Sequence, residues 1–133
     1  MLHFQGFNEK ANEALNAAIK EAEELGHDYI GSEHLLLGLL SVDSGIVREA
    51  FAARGLTLDA AREAVKSNFG IGMKTNLTHE DFTPRSKHIL ETAVADAAEL
   101  KHGYVGAEHL LLAIVKEKDS AANTVISRLG LSP

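Results

Sequence analysis

The stretch HDYIGSEHLLLGLL at residues 27–40 returns, without a gap and seventy-five residues later, as HGYVGAEHLLLAIV at residues 102–115. Working outward at the same offset lays Phe7 on Phe82, Leu15 on Leu90, Leu25 on Leu100, Tyr29 on Tyr104 and Leu56 on Leu131. Across Phe7–Leu56 and Phe82–Leu131, 16 of 50 aligned positions are identical, His27/His102, Glu33/Glu108 and His34/His109 among them. Self-similarity at a fixed period marks duplication of one supersecondary unit. A surface site carried by one copy is therefore expected at the equivalent place in the other.

Within each copy the apolar residues recur at helical spacing. Ala11, Leu15, Ala18, Ile19 and Ala22 form one face of a helix over about Asn8–Leu25 that ends at Gly26,. Ser32 is placed as the N-cap of a second helix running to about Leu40,. A break at Ser41–Gly45 precedes helices over about Ile46–Arg54 and Leu58–Asn68,. Residues 70–81 (GIGMKTNLTHED) lose the periodicity and read as a linker. The second copy opens on Thr83-Pro84, an N-cap followed by proline at the one helical position where a missing N–H does no harm,. Helices follow over about Pro84–Leu100, Ala107–Lys116 and Ser120–Leu129, the last closed by Gly130. The pattern predicts an all-α, pseudo-twofold domain over 1–133: repeat one at 7–69, repeat two at 82–133, its last helix either truncated from a longer protein or absent by design. Residues 1–6 resemble a protease-cleavage remnant or a native start.

Composition narrows the function. A net charge of −6 argues against a general nucleic-acid or anionic-membrane binder, which needs a basic stripe,. With no cysteine there is no thiolate nucleophile, disulfide framework or Cys-based zinc site, which fits a reducing cytoplasm,. No apolar run approaches the roughly 20 residues of a membrane span. No nucleophile elbow, phosphate loop or Rossmann fingerprint is present, so the chain is not read as an enzyme.

Glu33 and Glu108 fall in the first turn of a helix, where a carboxylate complements the helix dipole by roughly 0.3–1 kcal/mol,. The same carboxylate is also able to grip a guanidinium in bidentate fashion. Both readings stay open, because a fold constraint repeats as readily as a site does. Thr83, Pro84 and Arg85, with their equivalents Asn8, Glu9 and Lys10, open the long helices and suit an anion, Thr83 better than Asn8 because Glu9 opposes one,. His27, His34, His102 and His109 invite a metal, but no HExxH or paired cysteine accompanies them,. His34 and His109 are expected to pack or cap locally, and Tyr29 and Tyr104 to pin the turns against the long helices.

The GxEHLL signature after an H-x-Y-[IV] turn, present twice, with FTPR opening the second copy, resembles the Clp N-terminal repeat domain, most nearly the ClpC type. The resemblance covers the chain from Phe7. It implies a helical, non-catalytic module that receives substrates and adaptor proteins for a hexameric ATP-driven unfoldase and its partner protease. ATP would belong to the parent, with no cofactor or metal in this piece. It further implies recognition of phosphoarginine, Glu33 and Glu108 taking the guanidinium. The helix start at Thr83 (Asn8 in the first copy), with Arg85, would hold the phosphate. Phe7 and Phe82, taken as exposed, with Lys87, would form an apolar floor for adaptors or cyclic peptides. Alanine at 107, where the family has a hydroxyl, is expected to remove a cap. The stronger groove is expected beside Thr83 and Glu108. Two other readings are a disaggregase-type N domain docking exposed apolar segments, and a stand-alone histidine-rich metal protein or enzyme.

Overall fold

The computed structural model describes residues 4–42 and 45–129, the side chains at 45, 46, 48 and 128 excepted. Among these, helices run α1 (Glu9–Glu24), α2 (Ser32–Ser41), α3 (Gly45–Ala53), α4 (Leu58–Phe69), α5 (Pro84–Glu99), α6 (Ala107–Lys116) and α7 (Ala121–Arg128). The fold is all-α, as the spacing predicts, and each helix end falls within a residue or two of its expected place. Leu131 and the closing Gly130 lie outside the described residues.

α2 is the axis of the core. Its residues Ser32 to Leu39 are all buried, clasped by α1 on one side and by α4 and α7 on others. α1 contributes the expected stripe of Ala11, Leu15, Ala18, Ile19 and Ala22, each buried. Its five small or branched side chains leave the α1–α2 distance to be set by Gly38, whose Cα faces the backbone of Ala14 and Ala18. The pseudo-equivalent α6 is less enclosed: Leu37 is fully buried, whereas its counterpart Leu112 is 51% exposed.

Two features tie the copies together, and neither is visible in their alignment. First, the openings cross over. The Asn8 N–H donates to the Val105 carbonyl at 2.9 Å and the Val105 N–H to the Gly6 carbonyl at 2.9 Å. The Thr83 N–H donates to the Ile30 carbonyl at 3.0 Å and the Ile30 N–H to the Asp81 carbonyl at 2.8 Å. Each pair makes a short parallel bridge, Phe7 with Val105 and Ile30 with Phe82. Each repeat's opening segment thus clamps the other repeat's turn. Phe82 is 5% exposed as a result, and Phe4 covers it edge-on at 6.0 Å; the exposed aromatic floor expected there is corrected to a core residue. Asn12 fixes Phe4 in place, accepting from its N–H at 2.6 Å and donating to the Phe7 carbonyl at 2.9 Å.

Second, the linker is strapped down. The Gly72 N–H donates to the Leu25 carbonyl at 2.8 Å, the Thr75 hydroxyl to the His27 carbonyl at 2.7 Å, and the Leu77 N–H to the Glu23 carboxylate at 2.8 Å. A short 3-10 turn, His79–Asp81, delivers the chain into α5. Gly26, at φ +76°, faces the Gly72 backbone so closely that a Cβ would overlap it. These bonds lay the strap over the first repeat's turn.

Candidate functional site

The helix α2 begins after Gly31, not Ser32, and α6 after Gly106. Neither glycine has a side chain to cap with, so the histidine three residues on does it. His34 Nδ1 accepts the Gly31 N–H at 2.8 Å, and His109 Nδ1 accepts the Gly106 N–H at 2.8 Å. This corrects the expected caps: alanine at 107 removes none, and the Ser32 hydroxyl instead accepts the Ala122 N–H of α7 at 3.0 Å.

With Nδ1 an acceptor, neutral His34 carries its proton on Nε2 and donates to His27 Nδ1 at 2.7 Å,. His27 then donates from Nε2 to the Gly70 carbonyl at 2.9 Å. A directed chain runs from cap to strap with every nitrogen used, which leaves no lone pair for a metal. The second copy has the same His102–His109 contact at 2.8 Å, but among the described residues His102 stands exposed.

Burial, then the neighbouring His27, lowers the His34 pKa to about 3. Its folded value lies below its ordinary value near 6.5, so the unfolded chain binds the proton more readily. Stability is therefore complete above pH 6.5 and is lost as pH falls toward 3, by on the order of 1 kcal/mol per pH unit. Glu33 acts in the opposite sense, since burial raises its pKa and its protonation eases folding at low pH. We expect urea unfolding at pH 7 and pH 5 to show net acid destabilisation, with a shallower slope in His34→Asn.

Glu33 and Glu108 fold back over the glycine caps. A Cβ at Gly31 would overlap the Glu33 carboxylate, and one at Gly106 the Glu108 carboxylate. Glycine is the residue that admits this close approach. Each carboxylate therefore lies over a helix N-terminus, where the dipole favours it. The two differ in access. The Glu33 side chain is 3% exposed and its second oxygen accepts the Tyr29 hydroxyl at 3.0 Å. Burial, more than the Glu33 charge, also pushes the Tyr29 phenol pKa up. The Glu108 side chain is 39% exposed. Tyr29 and Tyr104 stack on His27 and His102, at 5.4 and 6.1 Å between rings.

The crossed openings decide which helix start meets which carboxylate. Thr83 is bonded to Ile30, next to Gly31, and so belongs with Glu33. Asn8 is bonded to Val105, and its side-chain amide lies 3.2 Å from where a Cβ at Gly106 would be, beside Glu108. The expected pairing of Thr83 with Glu108 is thus corrected. Both cap their helices: Asn8 accepts the Ala11 N–H at 2.9 Å and Thr83 the Ser86 N–H at 3.0 Å. Arg85 does not join this group; its guanidinium pairs with Glu117 at 3.2 Å, where His88 also bonds. Lys87 is exposed on α5, and Phe7 is half-buried in a shallow apolar groove with Leu90, Val94 and Ala95.

Two glycine-capped, histidine-bonded turns, each clamped by the other repeat's opening, make a very specific arrangement. A family model described as the Clp repeat (R) N-terminal domain matches residues 6–129. The chain belongs to the Clp repeat N-terminal domain family. It is 41% identical over 128 residues to an ATP-dependent Clp protease ATP-binding subunit ClpA homolog of Cyanidium caldarium, covering 96% of this chain and 15% of that protein. The chain thus spans about one-seventh of the length of the curated relatives it matches. The crystal structure of the N-terminal domain of the chaperone ClpD from Arabidopsis thaliana superposes with a TM-score of 0.81 at 32% identity, covering 98% of this chain and 91% of that one. A complex of the ClpV N-domain with a VipB peptide shares the fold, with a TM-score of 0.70 at 24% identity, covering 92% and 76%. Among the described residues of this Clp N domain no helix is long and apolar enough to cross a membrane.

Proposed function

We propose that this Clp N domain receives substrates and adaptor proteins for a ClpC-like, hexameric ATP-driven unfoldase of the cytoplasm that feeds a partner protease. It performs no catalysis itself; ATP acts in the parent. We further propose that it grips arginine-phosphorylated segments at Glu33–Thr83 and Glu108–Asn8. One observation carries this reading: each carboxylate folds over a glycine next to a residue that is bonded to the start of the other repeat's long helix. A phosphoguanidine needs that combination, a carboxylate for the N–H plane and backbone amides for the phosphate.

The amides available differ between the sites. At α5 the first position is Pro84 and Thr83 already holds the Ser86 N–H, which leaves the Arg85 N–H for an anion. The Thr83 hydroxyl donates to Ser86 Oγ at 3.0 Å and must turn outward to serve a phosphate. At α1 the Asn8 amide already faces the Glu108 side.

Calorimetry with free phosphoarginine tests the reading. Binding is expected, and Glu108→Ala should weaken it at least about 10-fold, the scale of one charged hydrogen bond. Absence of heat at millimolar ligand, or an unchanged affinity in Glu108→Ala, sinks the assignment.

A second reading has its own observation. The groove of about 340 Å³ lined by Phe7, Leu90, Glu91, Val94 and Ala95 is almost wholly apolar, and Val94 is 46% exposed. The ClpV complex holds a peptide on the same fold. Docking of unphosphorylated apolar segments there would be indifferent to phosphoarginine.

A further inference from the structure

The two carboxylates are equivalent in sequence and unequal in space: Glu33 holds a tyrosine hydroxyl and is buried, whereas the Glu108 side chain is 39% exposed. Glu33 has both oxygens occupied: one lies over the Gly31 cap and the other accepts Tyr29 at 3.0 Å. The Tyr29 ring is held there by its parallel stack on His27, 1° between planes, and by contact with His34 at 5.2 Å. His27 is in turn held by Gly70 and, through its carbonyl, by Thr75 of the strap. Among the described residues the second copy's turn is the more open one. His102 is exposed, and Tyr104 is 46% exposed; among the described residues its hydroxyl makes no hydrogen bond to Glu108.

We infer that Tyr29 is an internal competitor for the Glu33 carboxylate, so that the two sites load in order: Glu108–Asn8 first, Glu33–Thr83 only when Tyr29 leaves. This rests on the proposed guanidinium reading and adds its regulation. The phenol hydroxyl donates to the oxygen that one guanidinium N–H would take, so a bidentate ligand must displace it. Displacement also breaks the stack on His27, which the strap stabilises. The order is opposite to the one that helix-start chemistry alone gives, where threonine outranks asparagine.

Two measurements separate this inference from the ligand reading. In the first, each Glu is probed without any ligand, by carbodiimide coupling to glycine methyl ester and peptide mass spectrometry. Glu108 should be modified and Glu33 spared in the wild type. Tyr29→Phe should raise Glu33 modification several-fold, and Tyr29→Ala, which removes the ring as well, should raise it further. Tyr104→Phe should change neither. Equal labelling of both glutamates in the wild type, or a Glu33 unresponsive to both Tyr29 variants, overturns the inference. In the second, free phosphoarginine is titrated by NMR. One site should fill about 10-fold or more ahead of the other in the wild type, with the gap narrowed in Tyr29→Phe. Equal filling in the wild type overturns the order of loading. If no variant binds phosphoarginine while the labelling behaves as stated, the ligand reading fails and the competitor role of Tyr29 stands.

Discussion

His34→Ala should lower the unfolding free energy by about 3–5 kcal/mol, with the loss read from urea denaturation at pH 7. His34 is fully buried and joins three parts of the fold: the α2 cap, the turn and the strap. Its removal orphans the Gly31 N–H and the Nδ1 acceptor of buried His27, each worth about 1–3 kcal/mol when left unsatisfied. A cavity beside Leu35 and Tyr29 adds to that. Because small domains hold only about 5–15 kcal/mol in total, a large share of the stability goes with one ring. His109→Ala is the internal control. It makes the same cap at the same distance, but His102 is exposed and can turn its freed nitrogen to water. Its loss should be no more than about half that of His34→Ala. Equal losses at the two positions would show that the strap contributes nothing to the first relay.

The same contrast explains how far the sequence could be read. The helices were legible because an amphipathic stripe is a local property: Ala11, Leu15, Ala18 and Ala22 predict their own burial. The repeat was legible because it is a matter of residue identity. Which opening touches which turn was not, since alignment at one offset shows equivalence and says nothing of adjacency. Only the extended backbone required before Pro84 hinted that Phe82 and Thr83 were placed to bridge a partner,. The burial of Phe82 and the pairing of Thr83 with Glu33 both followed from that crossing. The histidine caps were missed for a different reason. A capping box is expected from Ser or Thr with Glu or Gln, and here glycine supplies no side chain while histidine takes the reciprocal half alone, accepting the glycine N–H,. The unequal access of Glu33 and Glu108 lay further still from the sequence. It depends on a strap, residues 70–77, whose glycines and polar residues read as a plain linker until their bonds to Leu25, His27 and Glu23 are counted.

Gly38→Val should be at least as damaging as the loss of His34, leaving a chain that is largely unfolded at 37 °C by circular dichroism. A Cβ at Gly38 would overlap the Ala14 carbonyl oxygen and lie 2.8 Å from the Ala18 nitrogen. Both are backbone atoms of α1, so no rotamer change relieves the contact; the two helices must move apart. That separation would loosen the buried Leu15, Ala18, Leu35 and Leu36 together. Insertion into a packed core typically costs about 1–3 kcal/mol per site where side chains are free to adjust, and here they are not. Gly38→Ala gives the graded version: roughly 1 kcal/mol of helix propensity is gained and set against the overlap, so a net loss is still expected. The duplicate position supplies the comparison. Alanine stands there as Ala113, fully buried, and α5 lies along less of α6 than α1 does along α2. Ala113 thus sits in a less extensive helix contact, and Ala113→Gly should lose stability through propensity and a small void,. Substitution in opposite directions at two equivalent positions should therefore destabilise in both cases. A stabilising Gly38→Ala would mean that α1 and α2 are no closer than α5 and α6.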